Sequence, residues 1–260
     1  MRHLVLVFAL TALLSPAMSD EPFTSLSISY SGGDYKNETF EYRLLAPLEI
    51  TAGKKYPLIL FLHGAGERGD DNGLQLKYLP EQMADAERRE RFDCFILAPQ
   101  CRSNKKWVDV PWSDDDSTEM SEQATHQMRA ALTMLDRTVT ENPIDKSRVY
   151  LTGLSMGGYG SWDLLSRMPK RFAGAVIICG GGDERQASKL KDIPIWVFHG
   201  DADRVVPATR SRTMVEAIQK AGGERIKYSE LPGVGHNSWS HAYSDSTGAI
   251  EWLLSQKLSE

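Results

Sequence analysis

YLTGLSMGGYGSW, residues 150–162, joins an apolar strand pattern to a helix pattern at a single serine flanked by glycines. Residues 153–157 match G-x-S-x-G, the motif in which a sharp strand-to-helix turn holds a serine hydroxyl clear of the sheet. In such a turn the backbone N–H of Met156 faces the same space as the Ser155 hydroxyl, at the positive end of a helix. The alternative interpretation is an ordinary N-capping serine in a glycine-rich turn.

Apolar runs of strand length recur on both sides of this motif and alternate with segments of helical pattern. The predicted strands are 25–33, 39–48, 56–64, 94–100, 148–155, 173–181, 193–200 and 225–233, and the predicted helices are 74–90, 118–141, 156–168, 208–221 and 241–258. The alternation predicts an α/β fold with a mostly parallel central sheet and helices on both faces, because parallel strands need crossover connections. The first two strands are expected to be antiparallel.

A second loop that could contribute to catalysis follows the third predicted strand, in the sequence FLHGAGERGDDN. Its glycines allow the backbone N–H of Ala65 to point at a developing oxyanion. We interpret His63 as a structural residue of the turn rather than as a base. Glu67 and Arg68 are expected to form a local ion pair, with a substrate contact as the alternative.

An acid and a base for Ser155 are available in two later loops. Asp201 and Asp203 follow the seventh predicted strand, and either carboxylate could orient a histidine while the other caps backbone N–H groups. His236 lies in the glycine-rich loop after the last predicted strand, where its ring could act as general base. His241 is a rival, but it begins the last predicted helix. The order serine, acid, histidine, each after its own strand, is typical of an α/β hydrolase.

The motifs HGAGERG, APQC, GLSMGGYG, HGDADRVVP and GVGHNSW together resemble the α/β-hydrolase superfamily. More narrowly they resemble the secreted bacterial esterases often labelled predicted peptidases, akin to polyhydroxybutyrate depolymerase-like and feruloyl esterase-like proteins. The resemblance covers essentially the whole mature chain. It implies Ser155 as nucleophile, Asp203 as acid, His236 as base, and the Ala65 and Met156 amides as oxyanion donors. Such an acyl-enzyme mechanism requires no metal and no cofactor.

The N-terminus and the overall charge restrict where the protein acts and on what. Residues 1–19 combine a basic head, a short apolar stretch and small residues, a pattern that predicts a signal peptide cleaved within 17–19. We therefore expect a secreted or periplasmic protein without a membrane span, in which 20–260 form a single catalytic domain. The net charge of −5, with scattered basic residues, argues against a nucleic-acid partner.

Substrate specificity is less well defined by the sequence. Trp107, Trp112 and Trp239 are candidate walls of a substrate pocket, and core packing is the alternative for each. The connection between the sixth and seventh predicted strands is too short for a large lipase cap, which favours small or accessible esters, including acyl or feruloyl esters of polysaccharide. A serine peptidase and a non-catalytic binding module of the same fold are the alternatives, and the oligomeric state is left open.

Two further features were considered as sites of other chemistry. The chain has three cysteines, Cys94, Cys101 and Cys179, and no disulfide is expected because an extended strand separates the first two. Cys179 is expected to be a buried small apolar residue. The acidic run at 113–117 could suggest Ca²⁺, but its spacing fits no known calcium loop and a solvated helix start is the preferred interpretation.

Overall fold

A computed structural model describes residues 21–258, so the predicted signal peptide lies outside the described residues. Eight strands form one sheet in the order β1-β2-β4-β3-β5-β6-β7-β8. The strands are Phe23–Gly32 (β1), Tyr35–Leu45 (β2), Tyr56–Leu62 (β3), Phe95–Pro99 (β4), Ile144–Leu154 (β5), Gly174–Ile178 (β6), Ile195–Gly200 (β7) and Ile226–Leu231 (β8). β2 is antiparallel to both β1 and β4, and every other pair is parallel, which agrees with the predicted mixed sheet.

Helices connect the parallel strands and cover the sheet. The α-helices are Leu79–Met83 (α1), Ala86–Arg91 (α2), His126–Glu141 (α3), Met156–Arg167 (α4), Ala187–Leu190 (α5), Thr209–Lys220 (α6), Trp239–Ala242 (α7) and Ala249–Leu254 (α8). Short 3₁₀ segments are Ala65–Glu67, Leu74–Leu76, Glu184–Gln186 and Asp245–Thr247. In the part of the chain from 21 to 258, no helix is both long and apolar enough to cross a bilayer.

The core consists of two apolar layers, one on each face of the sheet. β3 is fully buried along its whole length, and its side chains alternate between the layers: Leu58, Leu60 and Leu62 face one, and Ile59 and Phe61 face the other. The first layer includes residues of α3, α4 and α6, and the second includes residues of α1 and α8. A strand packed on both faces has no polar face, which is why its sequence is a continuous apolar run.

Three predicted helices are shorter than the sequence indicated. The helix expected over 118–141 begins only at His126, because the Thr125 side chain accepts a hydrogen bond from Met128 N–H and caps it there. The acidic run at 113–117 is therefore not a helix start, and this correction leaves it in an irregular loop. The helix expected over 74–90 is divided into a 3₁₀ segment, α1 and α2.

Local backbone chemistry explains the remaining helix boundaries. Asp85 caps α2 by accepting hydrogen bonds from the N–H groups of Glu87 and Arg88, so α2 is a separate helix. The predicted last helix, 241–258, is interrupted at Gly248, which has a φ of 66°. That left-handed conformation is accessible to glycine at little cost, and it lets α8 start in a new direction.

The close packing of α4 on the sheet predicts a large effect for Gly157→Ala. A Cβ at this position would lie 1.8 Å from the carbonyl oxygen of Leu62, which is backbone and cannot rotate away. We expect a loss of about 3 kcal/mol in the free energy of unfolding, as for severe overpacking. Urea unfolding measures the change. The control is Gly66→Ala, where an added Cβ has no neighbour within 4 Å; equal losses in the two variants would contradict the prediction.

Candidate active site

Ser155 occupies the turn between β5 and α4 in a backbone conformation that is uncommon for any residue other than glycine. Its φ is 53° and its ψ is −118°. The Ser155 N–H donates to the carbonyl of Ile178 at 2.9 Å, and its own carbonyl accepts from Tyr159 N–H at 3.1 Å, so both sides of the turn are fixed. A strained residue that is held this firmly is characteristic of functional sites.

The Ser155 hydroxyl is the first member of a continuous hydrogen-bonded chain. Its Oγ lies 2.9 Å from His236 Nε2, and His236 Nδ1 lies 2.7 Å from Asp203 Oδ2. The carboxylate can only accept, so Nδ1 carries the proton and Nε2 is left with a lone pair facing the serine. These side chains follow β5, β7 and β8, and the parallel arrangement of those strands brings the three loops to the same edge of the sheet.

Asp203 is held ionised by the hydrogen bonds that it accepts. Its side chain is fully buried, and burial alone would raise the pKa of the carboxyl. Hydrogen bonds from His199, His236 and the N–H groups of Val205 and Val206 outweigh this, so the pKa of Asp203 lies well below its usual range. A permanently charged carboxylate at this position stabilises the imidazolium that His236 forms when it takes a proton.

His199 is a further residue of the site, and it was not predicted from the sequence. It is completely buried at the end of β7, with Nε2 3.2 Å from Asp203 Oδ2 and 3.0 Å from the carbonyl oxygen of Val206. Its Nδ1 lies 2.7 Å from the Ser211 hydroxyl on α6. His199 and His236 thus both contact Oδ2 of Asp203, and together they fix the carboxylate. The available signal was a histidine inside an apolar strand, four residues before the aspartate.

The two residues considered as rivals lie outside the hydrogen-bonded chain. Asp201 is exposed and accepts a hydrogen bond from Gly233 N–H at 2.7 Å, which ties the loop after β7 to the loop after β8. His241 is exposed on α7, and its carbonyl accepts from the hydroxyls of Ser244 and Thr247. Each therefore stabilises loop structure.

The backbone N–H groups of Ala65 and Met156 make no recorded hydrogen bond to an acceptor within residues 21–258. Met156 is the first residue of α4, so its N–H is one of the unpaired donors at a helix N-terminus. Ala65 begins the 3₁₀ segment after β3. Unpaired N–H groups of this kind are what an oxyanion site requires.

His63 holds the loop that carries Ala65. Its Nε2 accepts a hydrogen bond from Cys101 N–H at 2.9 Å, so the proton is on Nδ1, which lies 2.6 Å from the carbonyl oxygen of Gly64. Burial lowers the pKa of His63 to about 4, and the ring is therefore neutral at physiological pH. The structural role that the sequence suggested for His63 agrees with these contacts.

The family to which the chain belongs is established by comparison with known proteins. Residues 47–251, most of the chain, match the family described as phospholipase/carboxylesterase. The chain belongs to this family. The predicted α/β-hydrolase fold and the predicted enzyme class, a serine hydrolase of carboxylic esters, are thereby confirmed.

Individual relatives agree with this assignment. The hydrolase is 30% identical over 177 residues to a bifunctional acetylxylan esterase/xylanase of Neocallimastix patriciarum, a match that covers 66% of this chain and 23% of that protein. It is 26% identical over 206 residues to a probable feruloyl esterase C of Aspergillus oryzae, covering 79% and 70%. A solved structure described as a thermostable esterase has a TM-score of 0.79 at 36% identity, covering 91% of this chain and 63% of that chain.

Glu67 and Arg68 of the hydrolase do not form the predicted ion pair, and that expectation was wrong. Arg68 instead donates from Nε to the carbonyl of Ala65 at 2.8 Å and from an NH group to the carbonyl of Lys105 at 3.3 Å. Glu67 is turned inward and is only 6% exposed. Arg68, which is partly exposed, therefore ties the loop to the segment at Lys105, whereas Glu67 packs inside the protein.

Burial makes Glu67 a source of pH-dependent stability. Its pKa is raised above the ordinary 4.5 because burial penalises the carboxylate, so the native state holds its proton more tightly than the unfolded state. Stability contributed by this group is therefore present at acid pH and is lost as pH rises through this pKa. We expect Glu67→Gln to raise the free energy of unfolding relative to wild type more at pH 7 than at pH 4, as measured by urea titration. Glu81→Gln, at an exposed glutamate of α1, is the control; a Glu67→Gln difference that is the same at both pH values would contradict the prediction.

The three tryptophans proposed as pocket walls occupy different environments. Trp107 is 1% exposed and donates from its indole nitrogen to the carbonyl of His63 at 3.0 Å, so it packs beneath the loop and the predicted wall is corrected to a buried support. Trp112 is partly buried under the ammonium of Lys106. Trp239 is partly buried, and its ring meets the ring of His236 edge-on at 5.4 Å between centroids.

Trp239 also forms an aromatic pair with Tyr78. Their ring centroids are 5.3 Å apart, and Tyr78 has a φ of 71°, a strained value for a residue with a bulky side chain. Through Trp239 the pair adjoins the His236 ring. Trp239 was predicted from the sequence, but Tyr78 was not, because its position depends on a backbone conformation that no sequence pattern indicated.

Proposed function

We propose that this protein is a secreted serine carboxylesterase that hydrolyses small or accessible esters, including acyl or feruloyl esters carried by a polysaccharide. The observation that carries the proposal is the hydrogen-bonded chain from Ser155 Oγ through His236 to Asp203, with heavy-atom distances of 2.9 Å and 2.7 Å. Distances in this range are those that a nucleophile, its base and an orienting carboxylate need.

Each part of the site has a role in the proposed reaction. His236 Nε2 accepts the Ser155 proton as Oγ attacks the ester carbonyl, and the Asp203 carboxylate stabilises the imidazolium. The oxyanion of the tetrahedral intermediate accepts hydrogen bonds from the N–H groups of Ala65 and Met156. His236 then gives its proton to the departing alcohol. A water molecule releases the acyl group by the same steps with His236 again as base.

The shape of the surroundings supports an accessible ester rather than a long lipid chain. The connection from β6 to β7 contains one 3₁₀ turn and the four-residue α5, which is too little chain to build a large cap over Ser155. The relatives named as acetylxylan and feruloyl esterases support esters attached to carbohydrate. Trp239 and Tyr78 supply an aromatic surface beside the base, which suits either an aromatic acyl group or a sugar face.

A surface groove bordered by the loop after β3 has room for the rest of a polysaccharide. It has a volume of about 790 Å³, and its lining includes Tyr35, Asp70, Lys105 and His126. Asp70 follows the loop that carries Ala65, and the Lys105 carbonyl accepts a hydrogen bond from Arg68 of that loop, so the groove borders the C-terminal end of this loop. Its lining carries hydroxyl, carboxylate and ammonium groups, which can bind sugar hydroxyls.

Export is part of the proposal and rests on the N-terminal sequence. We propose that residues 1–19 are removed on secretion and that 20–260 then form one catalytic domain. N-terminal sequencing of the protein recovered from the periplasm or medium of an expressing cell tests this. A retained N-terminal methionine in that fraction would contradict it.

The substrate class is tested with a panel of chromogenic and natural substrates. We expect the mature chain to hydrolyse p-nitrophenyl acetate together with acetylated xylo-oligosaccharides or methyl ferulate, and the Ser155→Ala variant to hydrolyse none of them. Aminoacyl p-nitroanilides test the peptidase alternative on the same preparation. Rapid anilide cleavage with no turnover of p-nitrophenyl acetate would replace the proposal by that alternative, and a well-folded chain without activity would favour a binding module.

A further inference from the structure

A buried thiol lies directly behind the proposed active site. Cys179 follows β6, has no exposed surface, and has a φ of 41°, which is uncommon for a residue with a side chain. Its N–H donates to the carbonyl of Phe198 at 2.8 Å, which holds the strained backbone in place. The proposed ester hydrolysis assigns no role to this cysteine, although it sits one residue beyond the carbonyl that anchors Ser155.

The thiol forms a compact group of metal-binding donors with two residues of the site. One donor atom from each of Cys179, Asp203 and His236 lies within 4.8 Å of the other two. In a tetrahedral zinc site the ligand bonds are about 2.0 to 2.3 Å, which places neighbouring donors about 3 to 4 Å apart. Shifts of about 1 Å in side-chain position would therefore bring all three donors into coordination.

The donor types favour a thiophilic cation over a hard one. A thiolate, an imidazole and a carboxylate are the ligands that Zn²⁺ uses in proteins, whereas Mg²⁺ and Ca²⁺ require oxygen ligands throughout. The surroundings are also polar: the Ser238 hydroxyl is fully buried beside the thiol and can share a hydrogen bond with it. His236, whose side chain is 20% exposed, gives the group its contact with solvent.

We propose that Cys179, Asp203 and His236 form an inhibitory site for a thiophilic divalent cation such as Zn²⁺. Coordination displaces the thiol proton to solvent, and the ring proton of His236 moves from Nδ1, which now binds the metal, to Nε2, so that the imidazole stays neutral. The metal then holds the imidazole and the Asp203 carboxylate together in place of their hydrogen bond. With the metal on Nδ1 and the proton on Nε2, the ring has no lone pair to accept the Ser155 proton, and ester hydrolysis stops.

The Cys179 thiol takes no part in the reaction of the metal-free protein. Burial raises the pKa of Cys179 to about 12, so it is protonated at physiological pH and does not compete with Ser155 as a nucleophile. The site therefore leaves the metal-free reaction to the serine and acts only when a cation with high thiolate affinity displaces the proton.

A cation could also inhibit from the open face, by binding His236 Nε2 and the Ser155 oxygen without the thiol. The two arrangements differ in their dependence on Cys179. We therefore compare Cys179→Ala with Cys94→Ala, since Cys94 is an equally buried free thiol whose pKa is also raised to about 12. Each variant's rate with Zn²⁺ is divided by its own rate without metal, so any effect of the substitution on basal activity cancels.

The expected result is that the Zn²⁺ concentration for half-inhibition of p-nitrophenyl acetate hydrolysis rises at least ten-fold in Cys179→Ala and stays at the wild-type value in Cys94→Ala. Equal inhibition of all three proteins would overturn the proposal and assign the effect to the open face. An absence of Zn²⁺ inhibition in the wild type would overturn it as well.

Metal binding is tested separately from activity, because inhibition rests on the proposed function while coordination does not. Cd²⁺ added to the full mature Ser155→Ala chain should produce the ultraviolet thiolate-to-metal charge-transfer band. The band should be absent from the double variant Ser155→Ala/Cys179→Ala and present in the double variant Ser155→Ala/Cys94→Ala. A missing band, or a band that does not depend on Cys179, would overturn the site even if ester hydrolysis is confirmed. A band that depends on Cys179 would support the metal site even if the protein hydrolyses no ester.

Discussion

Ser155→Ala is expected to reduce kcat for p-nitrophenyl acetate by on the order of 10⁶-fold, as loss of a nucleophile does in other serine hydrolases. In the proposed reaction the hydroxyl attacks the ester, and it is the hydrogen-bond partner of His236 Nε2, 2.9 Å away. Activity left in the variant would come from the oxyanion donors and from substrate binding alone. Stopped-assay hydrolysis with the purified mature protein measures the loss, after correction for spontaneous hydrolysis.

Ser166→Ala is the matched control for this substitution. Ser166 is also a buried serine of the same region, on α4, and its hydroxyl donates to the carbonyl of Trp162 at 2.8 Å without contacting His236. We expect its kcat to stay within about three-fold of wild type, because surrounding contacts change little when such a hydroxyl is removed. Similar losses in the two variants, or a Ser155→Ala protein that keeps wild-type activity with an intact fold, would show that Ser155 is not the nucleophile.

Asp203→Asn is expected to reduce kcat by about 10⁴-fold, the size of effect seen when the orienting carboxylate of such a site becomes an amide. The reason is the tautomer of His236. The carboxylate accepts the Nδ1 proton at 2.7 Å, whereas an amide NH₂ group facing Nδ1 favours the proton on Nε2. An imidazole with its proton on Nε2 cannot accept the proton of Ser155. The same assay measures kcat, and circular dichroism checks that the fold is retained.

Asp201→Asn distinguishes the two aspartates of the loop after β7. Asp201 caps Gly233 N–H at 2.7 Å, a contact that the amide oxygen of asparagine can also make, so we expect less than a ten-fold change in kcat. A larger loss at Asp201 than at Asp203 would reverse the assignment of the acid. Comparable losses at both would indicate that the two loops act as one unit in positioning His236.

The elements that sequence patterns located well are those whose environment is uniform along their length. β3 is buried on both faces, so its run of apolar residues could only be a central strand. α4 is bounded by the glycine-flanked Ser155 at its start and is followed by Pro169, which places its ends within a residue or two of the expected ones. The helix expected over 74–90 was divided because capping by Asp85 and the backbone of Tyr78 interrupt a pattern that periodicity reads as continuous.

The predictions that were absent or wrong around the site failed for one common reason. His199 contacts Asp203 because β7 ends where the next loop folds back over it, and Glu67 turns inward because its 3₁₀ turn directs it there. Trp107 was expected to line a pocket but lies under the loop that contains His63. Each of these positions depends on the packing of segments that are distant in the chain, and local pattern contains no information on which side such a residue will face.

The order of strands and helices, the strained serine turn and the sequence of serine, acid and base along the chain were all readable from the amino acids, because each rests on local periodicity or on backbone sterics within a few residues. The convergence of Asp203 and His236 on Ser155, the inward turn of Glu67 and the placement of Cys179 behind the site came only with the folded sheet. Long-range geometry of this kind is fixed by how loops from separate parallel strands meet at one edge, which depends on packing across the whole core.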